Sequence, residues 1–87
     1  MAHVWIPSLM RDLTSGQDYI HVSGATLSEV IDALEEAHPG IKDRLLKQGR
    51  LVPGIMVTID GRRAFRGLQE QVAGESEVRF LPVMAGG

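Results

Sequence analysis

Short β-branched and aromatic runs punctuate this chain, and one longer stretch carries apolar residues at helical spacing. Val4-Trp5-Ile6 is such a run, stopped by Pro7, and reads as a strand. With Val4 and Ile6 facing a core, the period of two turns Trp5 to the opposite face. Tyr19-Ile20-His21-Val22 alternates again, after the turn signal Thr14-Ser15-Gly16-Gln17. The first 23 residues are therefore predicted to form a β-hairpin with a long connection.

Thr26-Leu27-Ser28-Glu29 is a capping box: the hydroxyl can accept the third helical N–H while Glu29 reaches back. Leu27, Val30, Ile31 and Leu34 follow on one stripe, with Glu29, Asp32, Glu35 and Glu36 elsewhere. Pro39 disfavours a helical His38, so His38-Pro39-Gly40 ends this helix. Residues 41–48 read as a second short helix closed by Gly49. Residues 55–59, Ile-Met-Val-Thr-Ile, form a strand that Asp60-Gly61 turns. Residues 62–74 read as irregular, anchored by Phe65, Leu68 and Val72. Residues 77–81 make the last strand, with Val78 and Phe80 inward and Arg79 and Leu81 outward. This order is α+β: few strands, with one main helix to cover one sheet face. The expected organisation is a single domain over residues 1–81 and a flexible C-terminal tail over 82–87.

Composition narrows the function. At 87 residues there is room for one core, and a catalytic cleft cut into it would be costly, which favours a binding or carrier module over an enzyme. Nine Lys and Arg against eleven Asp and Glu leave a net charge of −2, where a nucleic-acid binder would be basic. Without cysteine there is no disulfide, thiolate nucleophile or Cys-ligated metal. No run approaches the roughly 20 apolar residues of a membrane span, and the start has no signal-peptide pattern. The expectation is a cytoplasmic protein that binds neither nucleic acid nor membrane.

Most chemistry-bearing residues have plain readings. His3, His21 and His38 match no metal pattern and read as surface histidines. Asp32, Glu35 and Glu36 read as a solvated helix face. Arg62, Arg63 and Arg66 form a basic cluster that suits either an acidic partner or an idle surface loop. There is no phosphate-binding loop and no nucleophile elbow.

The ending Leu81-Pro82-Val83-Met84-Ala85-Gly86-Gly87 is different. It reads either as a frayed terminus or as an arm that delivers the Gly87 carboxylate to another protein's active site. Glycines lack Cβ, thread narrow channels and leave the carbonyl open to attack. Because a carboxylate is a poor electrophile, a partner would have to activate it, most simply by adenylation with ATP.

With the strand ending in Ile6-Pro7, the turn Thr14-Ser15-Gly16-Gln17, the helix Ala25 to Glu35, the break His38-Pro39-Gly40, the turn Ile59-Asp60-Gly61 and the ending Ser76 through Gly87, the chain resembles the MoaD/ThiS sulfur carriers along nearly its whole length. The resemblance implies a ubiquitin-like β-grasp fold: a mixed four- to five-stranded sheet covered on one face by the main helix. It implies that an E1-like enzyme spends ATP to adenylate Gly87, that a sulfur donor converts it to a thiocarboxylate, and that the chain holds no cofactor of its own. Gly86 and Ala85 would thread the partner's channel. Trp5 and Leu81, both outward by alternation, would dock the partner, joined by Phe65. Ile6-Pro7-Ser8-Leu9-Met10-Arg11 looks like the carriers that feed a cysteine synthase, with a metalloprotease as a further partner. The molybdopterin synthase small subunit, bound to its large subunit, remains an alternative, as do a lysine-conjugated modifier and an interaction module with an inert tail.

Overall fold

The computed structural model describes residues 1–83. Thr26 Oγ1 accepts the Glu29 N–H at 3.2 Å, and Glu29 Oε1 accepts the Ala25 N–H at 2.8 Å. That reciprocal cap, worth about 1 kcal/mol, starts α1, Leu27–Ala37. Leu27, Val30, Ile31 and Leu34 are fully buried and form the stripe read from the sequence. His38 leaves the helix with φ −138° and ψ 81°, as the following proline requires.

α1 lies on a five-stranded sheet ordered β2-β1-β7-β5-β6. β1 (Ala2–Trp5) pairs antiparallel with β2 (Tyr19–Val22) and parallel with β7 (Glu77–Pro82). β5 (Ile55–Ile59) pairs antiparallel with β7 and with the edge strand β6 (Arg62–Arg63). This is the β-grasp arrangement, a mixed sheet with one main helix on one face. Val4, Ile6, Val57, Ile59, Val78 and Phe80 are buried on the face that α1 covers. The C-terminal strand thus lies mid-sheet, held on both sides, and delivers the end of the chain from a rigid element. No helix among the described residues is long and apolar enough to cross a membrane.

Several local expectations fail, each for a tertiary reason. The second helix, α2, covers only Ile41–Leu45, because Leu46 already has extended backbone. Leu46–Lys47 (β3) and Arg50–Leu51 (β4) then make a two-stranded ribbon around Gln48 and Gly49, both at positive φ. Gly49 therefore serves a hairpin turn and not a helix cap. The long connection between β1 and β2 is a 3-10 helix, Ser8–Thr14. Residues 62–74 are not wholly irregular: Arg62 and Arg63 pair with β5, and Gly67–Gln69 is a 3-10 turn. Val72 is buried and Leu68 packs on the core, but Phe65 is 83% exposed and anchors nothing inside. Glu35 is not idle surface, since its carboxylate accepts the Gly40 and Lys42 N–H groups and ties α1 to α2. Asp32 takes the Lys42 ammonium at 2.6 Å. Pro82, expected in the tail, is still opposite Ile55 in the sheet.

Candidate functional site

On the face away from α1, the strand register lines up Tyr19, Trp5, Arg79, Thr58 and Arg63 in one cross-strand row. Trp5 is half-buried there, its ring 4.4 Å from that of Tyr19 and beneath the Arg79 guanidinium at 4.8 Å. At the far end Arg63 stands 5.5 Å over the exposed Phe65 ring. Each stack lets a cation screen an aromatic face from water while the charge stays wet. Leu81 is opposite Met56 on the same face, both half-buried. Trp5, Leu81 and Phe65 are therefore all solvent-accessible, but Arg79, Thr58 and Arg63 separate Trp5 from Phe65 in that row. The surface is aromatic and cationic, not purely apolar.

The acidic end of this face is a hydrogen-bonded cluster. Glu77 accepts the Tyr19 hydroxyl at 2.9 Å and the Trp5 indole N–H at 3.4 Å. Desolvation first, and then Glu77, raise the Tyr19 pKa. His3 and His21, which read as isolated surface histidines, meet edge to face at 4.5 Å, and His3 Nε2 is 2.9 Å from Glu75 Oε2. The described residues hold no group of three ligands suited to a metal ion.

Asp60, in the β5–β6 turn, accepts the Glu77 N–H at 2.9 Å and the buried Ser76 hydroxyl at 2.8 Å. These bonds, the backbone one first, hold its carboxyl below the usual range. A depressed carboxyl stabilises the fold above its unfolded pKa and loses that contribution as pH falls through the folded value. Asp60→Asn should therefore melt below the wild type near neutral pH. The gap should close between about pH 5 and pH 2, as the native carboxyl protonates. Melting curves across that range test the assignment; a gap independent of pH contradicts it.

The tail leaves from a defined point. Val83 donates its N–H to Gly54 O at 2.8 Å, and Gly54 sits at φ +92°, where a side chain would be strained. Beside this exit is an apolar hollow of about 190 Å³ lined by Pro7, Ser8, Leu9, Met10, Ile55 and Pro82, with Gly54 at its edge. Gly87, Gly86 and Ala85 lie outside the described residues.

The model of the ThiS family matches residues 4–87, from β1 through the diglycine. The chain belongs to the ThiS family. This ThiS-family chain is 38% identical over 90 residues to the sulfur carrier protein CysO of Mycobacterium tuberculosis, covering 97% of the chain and 96% of the relative. Its fold matches a chain of the Amycolatopsis orientalis BexX/CysO complex with a TM-score of 0.92, at 35% identity and full coverage of both chains. The crystal structure of M. tuberculosis CysO matches with a TM-score of 0.90 at 30% identity, covering 97% of this chain and all of that one.

For the ThiS-family chain, alternation alone placed Trp5 and Leu81 on the outer face. It missed the residues beside them. Tyr19, Met56 and Arg79 reach Trp5 or Leu81 only through strand register, which a single strand's sequence does not carry. The exposure of Leu9 beside the exit is not legible in the sequence, because in a 3-10 helix neither a two- nor a 3.6-residue period applies.

Proposed function

We propose that this chain is a sulfur carrier, acting in cysteine biosynthesis as a substrate of other enzymes and not as an enzyme itself. The observation that carries the proposal is the 38% identity to the carrier CysO over 97% of the chain. In the proposed cycle an oxygen of the Gly87 carboxylate attacks the α-phosphorus of ATP on an E1-like enzyme, and pyrophosphate leaves. A sulfide donor then attacks the acyl-adenylate carbonyl, AMP leaves, and the terminus becomes a thiocarboxylate. Its sulfur is delivered to an acceptor bound by a cysteine-synthase-type partner. The solved Amycolatopsis complex, in which a CysO chain is paired with a second protein, supports action through partners.

The chain's own residues supply presentation. A central strand aims the tail, the Gly54 bond sets where it departs, and Gly86 and Ala85 keep it slim enough to enter a channel. Trp5, Leu81 and Phe65 supply side chains for docking. The test is incubation of the full chain with ATP, sulfide and the adenylating enzyme of the same genome. Intact-mass measurement should show one oxygen replaced by sulfur at the C-terminus. A chain that stays at its starting mass, with the enzyme competent on another carrier, rejects the proposal.

A further inference from the structure

We propose that Leu9 anchors an apolar collar around the tail exit, and that this collar seats against the apolar mouth of the activating enzyme's channel. The inference rests on the carrier reading above and names the surface that reading leaves unassigned. Single exposed leucines are ordinary, but this one is not isolated. Leu9 is 84% exposed, adjoins the hollow formed with Pro7, Ile55 and Pro82, and Val83 beside it is 47% exposed. None of the residues lining that hollow carries a charge. On the opposite sheet face the same strand ends present Leu81 and Met56, so apolar side chains flank the exit on both sides.

The leucine is also held in place. Arg44 Nη1 donates to Leu9 O at 3.2 Å while Nη2 reaches Asp12 Oδ2 at 3.4 Å, fixing the 3-10 helix from α2. The Met10 N–H bonds Pro7 O at 2.9 Å, and Met10 and Thr14 are buried beneath. With its backbone held in this way, the leucine has only its own rotamers to lose when a partner covers it, which favours an interface anchor.

Reach identifies the occupant. Among the described residues, the last backbone atom tied to the sheet is the Val83 nitrogen. Only four residues follow Val83 in the sequence, ending at Gly87, and however arranged they span at most about 14 Å. A partner that brings ATP to the Gly87 carboxylate must therefore close to within that distance of the exit, so its channel mouth covers the ring of residues around Val83. Leu9, Ile55 and Pro82 must lose water at that moment. An apolar rim on the partner makes this favourable, and a charged rim would not.

Initial rates of thiocarboxylate formation, read by intact mass against carrier concentration, test the collar in the full chain with ATP, sulfide and the adenylating enzyme. Leu9→Asp should raise KM for the carrier by at least about tenfold, with kcat at saturating carrier unchanged. Leu9→Met should keep the wild-type KM, since it preserves apolar bulk. The melting temperature of Leu9→Asp should stay within about 2 °C of wild type, as for an exposed site. Should Leu9→Asp lose more, the same rates on Leu9→Ser decide. A Leu9→Asp chain with wild-type KM, or one defective only in kcat, overturns the collar while the carrier reading stands. A wild-type chain that never gains sulfur overturns both.

Discussion

A chain lacking Gly87 should form no thiocarboxylate, although it folds as well as the full protein. The chemistry in the proposed cycle occurs at one atom group, the carboxylate of Gly87, and no cysteine in the chain could carry the sulfur instead. Truncation leaves a carboxylate on Gly86, one residue, or about 3.5 Å, short of the reacting position. A displacement of that size removes the alignment that adenylation needs. Stability should change by less than about 0.5 kcal/mol, since the core closes without this residue. Intact mass after incubation with ATP, sulfide and activating enzyme is the readout, and a full mass gain in the truncated chain would exclude Gly87. Gly86→Val refines the result. It retains the carboxylate but adds a β-branched side chain, so a wild-type rate would show that the diglycine is not there to pass a narrow channel.

Phe80→Ala and Trp5→Ala should separate folding from docking. Phe80 is 3% exposed, faces α1 and is opposite Val57 in the register, so its truncation opens a cavity in the main core. The expected cost is about 3–5 kcal/mol, a large part of the stability of so small a domain. Trp5 is on the other face, and its loss removes stacking on Tyr19 and Arg79 without opening the core. That should cost about 1–2 kcal/mol. Binding to the activating enzyme should weaken by more than about 1 kcal/mol, as for an interface anchor. Urea unfolding followed by far-UV circular dichroism is the appropriate probe, because Trp5 is the only tryptophan and its fluorescence is lost with it. If Trp5→Ala unfolds the protein and Phe80→Ala does not, the facing of β1 and β7 is inverted.

Legibility followed the range of the forces involved. The capping box and apolar stripe of α1 were readable because their partners lie within a few residues of each other. The facing of Val4 against Trp5, and of Phe80 against Leu81, was readable because a strand's period of two is a backbone property. Leu46 was misread as helical: its apolar spacing fits a helix, but pairing with Leu51 across a two-residue turn prevails. Phe65 was misread as an internal anchor because apolarity alone does not say which side of an edge strand a following loop presents.

The sequence by itself determined the α+β class, the main helix and its buried stripe, the outward placement of Trp5 and Leu81, and the diglycine on which the proposed chemistry rests. Tertiary structure alone decided that β7 lies between β1 and β5, and that Arg79 covers Trp5. It also decided that the chain departs beside Gly54 and Leu9. The division has one cause. Period, caps and turn residues act between near neighbours along the chain, where sequence spacing equals spatial spacing. Strand order and register bring together residues such as His3 and Glu75, 72 positions apart, whose separation in sequence says nothing of their 2.9 Å contact.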